Sequence, residues 1–373
     1  MRGLIIGDFS GLGKELREGL LKNEVEVDLI TSGDYWKNIK SGSIDLDYSS
    51  NNFLEKVYKG IKNRIFLRKF FKKNYKSYDF ILIMNSNFIN VKSLKKIFKI
   101  SFSLKEIEGF SKNKKNIYLI AAGIDEYYLK NFYFFKEKYG YFFLSLDEVK
   151  ILEKEYKFSV KKLNLIQNKI SGIIPITYDY SISYKNYGVN KLIKTIPICL
   201  DTQKIKYENN LKGKIKLLHG ISRSEQKGSS YILEAMQRVE KKYPDKVELI
   251  IVRQLKFDKY IEIIKKSNIL IDQCKSCGYG MNALYGMAMG KLVLSGNEPE
   301  NEKEFGEKNI PVVNIIPNVE DIEKKLEYYI LNPELIISVG KRARKFVERF
   351  HDSKVVAKQY LKLFEEDLKE NER

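Results

Sequence analysis

The sequence predicts an α/β protein of two doubly wound, Rossmann-like parallel-sheet domains. Three observations carry this. The chain has 373 residues, enough for two domains of ordinary size. Short apolar runs fit for buried parallel strands alternate with helical patterns along its length. A strand–turn–helix–strand unit opens each half, near residues 2–30 and 213–252. The expected boundaries are 1–198 for the first domain, 199–352 for the second and 353–373 for a closing helix.

Arg2–Gly7 is a first strand, Asp8–Gly13 a small-residue turn, Lys14–Lys22 an amphipathic helix and Val25–Ile30 a second strand. The glycines at 7, 11 and 13 miss the G-x-G-x-x-G spacing, which argues against a dinucleotide enzyme. Asp79–Met84, Ile117–Ala121, Tyr141–Ser145 and Ser171–Pro175 continue the sheet. Tyr58–Lys76 is a basic helix with Ile61, Ile65, Phe66 and Phe70 on one face. It fits either a crossover helix packed on the sheet or an interfacial membrane helix. Thr195–Ile198 is a linker. The second domain runs as strand Gly213–His219, loop Gly220–Lys227, helix Ser229–Lys242, strand Val247–Val252 and helix Tyr260–Lys266. Strand Pro311–Asn314 and helices Val319–Leu331, Pro333–Phe350 and Ser353–Leu368 end the chain.

Charge is uneven. The formal net charge is +19, and residues 56–115 hold 17 Lys and Arg against three acids. Such a concentration points to an anionic membrane surface or lipid-linked phosphate, against a solvated lysine-rich surface. No nucleic-acid-binding module is recognisable, so nucleic acid is not an expected partner. No run of about 18 apolar residues is present, so no spanning helix is expected. The N-terminus runs straight into a strand, without a signal-peptide pattern. Three cysteines (Cys199, Cys274, Cys277) give no disulfide framework, which fits a reducing cytoplasm.

Ser267–Ser295 is the most informative segment. It is a strand (Ile269–Asp272), a glycine-rich loop (Gly278-Tyr279-Gly280), a small-residue helix (Met281–Met289) and a strand (Lys291–Ser295). A helix starting just after such a loop aims unpaired N–H groups and a positive dipole end into it, which suits phosphate.

This segment resembles the donor-site signature of the GT-B glycosyltransferases, specifically those of glycosyltransferase family 4. Ser267-Asn268 fall on its A-D, Gly278-Tyr279-Gly280 on its G-F-G, and Met287–Lys291 on its M-A-C-G-K. The departures are Cys277 and Tyr285, where the family has glutamates. In the family the first lies near the transferred sugar and the second holds the nucleotide ribose. The resemblance implies a GT-B fold, with a terminal helix that often crosses back to the first domain. It also implies a donor site made by Gly278, Tyr279, Gly280, Met281, Asn282, Ala283 and Tyr285. His219–Gly228 similarly resembles the family's G-R-L-x-x-x-K-G loop, which gives Arg223 and Lys227 the donor diphosphate to hold. Two fixed cations there would stabilise the leaving group without a metal. The turn Ser10-Gly11 is implied to touch the donor phosphate or sugar.

Ala121–Tyr128 follows a strand, and small residues then an acid at a strand's C-terminal end suit a ligand site. Asp125, then Glu126, are the candidates for a catalytic acid or base, with a helix N-cap the other reading of Asp125. Cys274 and Cys277 form a lone C-x-x-C, poor for zinc. Glu298 and Glu300 either replace the charge missing at 277 and 285 or start a helix.

The expected function is transfer of a hexosyl group from a nucleotide sugar to a hydroxyl of a lipid-linked surface glycan. The resemblance implies retention of configuration, no metal and no cofactor beyond the co-substrate. The expected location is the inner face of the cell membrane, held through residues 56–115. The rival readings are a non-catalytic nucleotide-sugar- or glycan-binding subunit of a synthase complex, and an epimerase or hydrolase on the same fold.

Overall fold

A computed structural model of the chain describes residues 1–32, 43–89, 100, 106, 109, 116–156, 164 and 167–372. The first domain is built on β1 (Arg2–Ile6), β2 (Glu26–Thr31), β3 (Ile44–Asp45), β4 (Phe80–Ile83), β5 (Asn116–Ala121) and β6 (Gly172–Pro175). Their order is β3-β2-β1-β4-β5-β6, with every pair parallel. The second domain holds β7 (Ile215–Ile221), β8 (Val247–Arg253), β9 (Ile269–Ile271), β10 (Leu292–Ser295) and β11 (Val313–Asn314). Their order is β11-β10-β9-β7-β8, again all parallel. The central strands β4, β5 and β9 are buried along their whole length, because helices cover both faces.

The helices of the first domain are α1 (Leu12–Leu21), α2 (Phe53–Asn74), α3 (Glu126–Lys130), α4 (Phe132–Tyr139), α5 (Leu146–Tyr156) and α6 (Tyr178–Lys185). Then come α7 (Ser224–Lys227), α8 (Ser229–Lys242), α9 (Phe257–Lys266), α10 (Met281–Ala288), α11 (Glu300–Phe305), α12 (Val319–Leu331), α13 (Pro333–Phe346) and α14 (Ser353–Glu372). The closing helix α14 lies on the first domain. Its Phe364 stacks on Phe80 with ring centroids 4.1 Å apart, and Asp367 accepts the Tyr118 hydroxyl. The start of α14 meets α1 at Gly19, where a Cβ would sit 2.1 Å from the Ser353 carbonyl oxygen. Only glycine permits that approach. The two strands of chain passing between the domains are stitched together: Leu200 N–H donates to His351 O and Ser353 N–H to Leu200 O, both at 2.9 Å.

Three expectations change. Tyr141–Ser145 is no strand; β5 pairs directly with β6, and Tyr141, Phe142 and Leu144 are buried between α4 and α5. The helix expected over Pro333–Phe350 leaves α-geometry at Phe346 and continues as a π-turn, Val347–His351. That turn carries the buried His351 ring to Ile198 O at 2.7 Å. Helix α2 packs through Gly60, Leu67 and Phe71, and of its predicted apolar face only Phe70 joins them. Ile61, Ile65 and Phe66 are exposed, with Leu54 and Tyr58 beside them. The helix is thus a crossover helix that also leaves an apolar, lysine-bordered stripe in solvent. The rest of the basic window, 90–99 and most of 101–115, lies outside the described residues.

Candidate functional site

In each sheet the strand order reverses beside the first strand: β1 lies between β2 and β4, and β7 between β8 and β9. Doubly wound sheets bind ligands at the carboxyl ends flanking such a reversal. Here both sets of ends open on one cleft of about 590 Å³. The turns after β1, β5 and β6 form one wall; the turns after β7, β8 and β9 and the head of α10 form the other.

The second-domain wall carries the cationic side chains of the cleft lining, Arg223 and Lys227. Gly280 precedes α10 without a side-chain cap, so the first N–H groups of the helix are left facing the cleft beside Met281 and Asn282. Arg223 is exposed on this wall, and its guanidinium makes no ion pair among the described residues. Lys227 differs. Its Nζ lies 2.7 Å from Oδ1 of the buried Asp272, which also accepts Asn282 Nδ2 at 2.7 Å. Burial alone would raise Asp272, but Lys227 and Asn282 outweigh it and hold its pKa down. The two cations expected to act alike are therefore unequal: Arg223 is open, while Lys227 is already neutralised. The strand end alone did not mark Asp272 as its partner.

Two buried histidines brace this wall. His219 meets Ile271 O through Nδ1 and Ser229 Oγ through Nε2, both at 2.8 Å. A carbonyl can only accept, so Nδ1 carries the proton and Nε2 takes the serine hydroxyl. His351 repeats the pattern between Ile198 O and the Tyr279 hydroxyl, at 2.7 and 2.9 Å. Burial pushes both pKa values down to about 4. Tyr279 is thereby fixed in the glycine loop.

Tyr285 lines the cleft, yet its hydroxyl is 3.3 Å from Glu15 Oε1 in the first domain. Glu15 Oε2 accepts the Asp201 N–H at 2.6 Å, and burial raises the acid's pKa. Position 285 thus ties the two walls together. Ser10 lines the cleft with φ 54°, a conformation uncommon for a residue with a Cβ. Gly11 follows at φ 87° and starts α1, and it lies behind the lining, as does Ala283.

On the first-domain wall the structure moves the acid. Asp125 is fully buried and caps α3, accepting Tyr128 N–H at 2.9 Å and the Tyr184 hydroxyl at 2.5 Å. Burial pushes its pKa up to about 6. Glu126 pairs with Lys130 at 3.5 Å. Neither reaches the cleft lining, so both candidates for an acid or base stand behind the wall. The acid on the wall is Asp179, in the first turn of α6. Its Oδ2 accepts the Tyr128 hydroxyl at 2.6 Å, its Oδ1 accepts the Thr177 hydroxyl, and burial raises its pKa. The sequence held a signal for it: Thr177 and Asp179 follow a strand end just as Asp125 does. Glu298 and Glu300 meet Tyr141 and Lys138 at 2.5 and 2.6 Å across the domain junction, outside the lining. Cys274 and Cys277 are free and buried.

Two parallel-sheet domains closing on a shared cleft are the GT-B architecture of glycosyltransferases. Residues 227–362 match the family described as glycosyl transferase-like. Sucrose-phosphate synthase from Thermosynechococcus elongatus superposes with a TM-score of 0.61 at 12% identity, over 98% of this chain and 99% of its own. Anabaena HepE, solved with UDP and glucose, gives 0.55 at 11% identity over 97% and 99%. S. aureus MnaA, solved with UDP, gives 0.52 at 13% over 96% and 94%. At these identities the likeness is one of fold. No curated protein matches the chain in sequence.

Proposed function

We propose that the protein is a glycosyltransferase that binds a nucleotide-sugar donor on its second domain and a hydroxyl acceptor on its first. The observation that carries this is the meeting of the α10 head, the Gly278–Gly280 loop and the open Arg223 on one wall of an interdomain cleft. A nucleoside diphosphate gains negative charge as the glycosidic bond breaks. Helix N–H groups and a guanidinium placed beforehand stabilise that charge. Lys227 brings no net charge to this wall, because Asp272 pairs with it. The match of residues 227–362 and the UDP bound by HepE and MnaA support the same reading. Metal-independent transfer with retention, to a lipid-linked surface glycan, belongs to the proposal.

Helix α2 supplies a membrane contact in this proposal. Its exposed Leu54, Tyr58, Ile61 and Ile65 lie on one helical face, which continues into Arg68, Lys69 and Lys72. Vesicles with anionic lipid should sediment the protein at low salt and release it as salt rises. Sedimentation unchanged by neutralising Arg68, Lys69, Lys72 and Lys73 together would remove this contact.

The donor site is tested by thermal denaturation with a panel of nucleoside diphosphates and nucleotide sugars. A ligand at about 100 times its Kd should stabilise by about 2.7 kcal/mol and raise the melting temperature. A panel with no effect would overturn the reading. The non-catalytic subunit keeps one argument: neither Cys277 nor Tyr285 brings a carboxylate to the cleft. Nucleotide-sugar binding without transfer to any offered acceptor would favour it.

A further inference from the structure

Among the residues lining the cleft, two are acids, and Lys227 neutralises one of them, Asp272. The other, Asp179, has no ion pair among the described residues, and its surroundings hold it in place. The Tyr128 and Thr177 hydroxyls each donate to a different carboxylate oxygen, the backbone N–H groups of Asp179 and Tyr180 lie against the carboxylate as well, and the residue lines the cleft. Tyr128 is itself fixed, because its backbone N–H is tied to Asp125 at 2.9 Å. Asn131 locks α3 to α6 by donating to Ser183 O at 3.1 Å and accepting from Asn186 at 2.7 Å. The buried Asp125 therefore sets the tyrosine that holds the cleft acid.

Rings cluster around the tyrosine that holds that acid. Tyr128 lies 4.9 Å from Tyr180 and 5.3 Å from Phe143, centroid to centroid, and all three line the cleft with Phe9. An apolar ring wall with one fixed hydroxyl acceptor suits a ligand whose faces are C–H and whose edge is O–H. A pyranose has that character; a phosphate does not, because an anion would meet Asp179 unfavourably.

We infer that Asp179 is the first-domain residue that accepts hydrogen bonds from hydroxyls of a hexopyranose in the cleft, with Tyr128 and Thr177 as its positioning residues. This rests on the proposed glycosyl transfer only in requiring a sugar there. The sugar is the donor's transferred group or the acceptor's terminal unit, and both offer the same hydroxyl chemistry.

The test uses the full chain and Asp179→Asn. Calorimetry would compare UDP and GDP with UDP-glucose, UDP-galactose, UDP-N-acetylglucosamine and GDP-mannose. Saturation-transfer NMR would follow methyl glycosides of the same sugars, with and without nucleotide. Asp179→Asn should bind the nucleoside diphosphate within about twofold of the parent, since it lies on the opposite wall. It should lose about tenfold in nucleotide-sugar affinity if the sugar is the donor's, as expected for a lost charge-assisted bond. Lost saturation transfer to a glycoside would mark the acceptor's sugar instead. Tyr128→Phe and Thr177→Val should give the same pattern more weakly, and they decide the matter if Asp179→Asn does not fold. Folded variants that bind every sugar like the parent would overturn the inference. So would a parent that binds none of them. A parent that binds glycosides through Asp179 but no nucleotide would overturn the donor site and leave the inference standing.

Discussion

On the second-domain wall, backbone N–H groups at the head of α10, a guanidinium and an ion pair face the cleft among the rings of Phe257, Tyr260, Tyr279 and Tyr285. On the first-domain wall the rings accompany a carboxylate instead, held by two hydroxyls. The buried ionisable groups differ as well. The second domain and the junction bury histidines as neutral rings, while the first buries acids whose pKa is raised. One wall offers fixed positive potential to an anion. The other offers shape and a hydroxyl acceptor to a neutral ligand. Two domains with the same winding thus present opposite chemistry, because the turns after the strands carry the difference.

Acid should separate the two domains most strongly. His219 and His351 have folded pKa values depressed to about 4, so the unfolded chain binds protons that the folded chain refuses. Their contribution is present above the unfolded value near 6.5 and is lost as pH falls towards 4, roughly 3 kcal/mol for each ring. Asp125 has the opposite sign. Its pKa is raised to about 6, so its contribution is fully present below about 3.8 and is lost as pH rises through about 6. Hydrogen exchange corrected for intrinsic rates should show β7–β9 losing protection between pH 7 and 4.5 while β5 and β6 hold. Equal loss in both sheets would break the contrast.

The ion pair comes next. Asp272→Ala leaves Lys227 largely buried without its counter-charge and should destabilise the second domain by about 3 kcal/mol. Adding Lys227→Met should restore most of that, because replacing a buried pair with apolar groups is often near neutral. Urea denaturation reads both. If the double variant is no more stable than the single, the pair is not what Asp272 serves.

Tyr285→Phe should have the smallest effect. Its hydroxyl bond to Glu15 spans the two walls, and losing it should lower stability by about 1 kcal/mol. Unchanged stability with weakened nucleotide binding would instead place the hydroxyl on the ribose, as the sequence resemblance implies.

The unequal legibility of the two walls has a physical source. Ser267–Ser295 announces itself because glycine spacing, a small-residue helix and flanking strand runs fix the backbone locally. The bounds of α8 and α12 were likewise readable from amphipathic spacing and their stops. The first-domain wall depends on contacts far apart in sequence. Tyr128 reaches Asp179 across 51 positions, and Tyr285 reaches Glu15 across 270. Periodicity carries no trace of such pairs. It also cannot say which apolar face of α2 meets the sheet: Leu67 and Phe71 do, while Ile61 and Ile65 do not. Asp125 was found as an acid at a strand end, but only packing shows that it faces inward and that Asp179 takes the wall.

Calorimetry of UDP and GDP with the parent and with Arg223→Ala tests the account's centre most directly, the claim that the second-domain wall holds a nucleoside diphosphate. Arg223 is exposed, so the substitution should leave the melting temperature unchanged. The parent should bind at least one of the two nucleotides, and the variant should bind it about 1.5–3 kcal/mol more weakly, as for a charge-assisted hydrogen bond. Equal affinity in parent and variant, or no binding of either nucleotide by the parent, would contradict it.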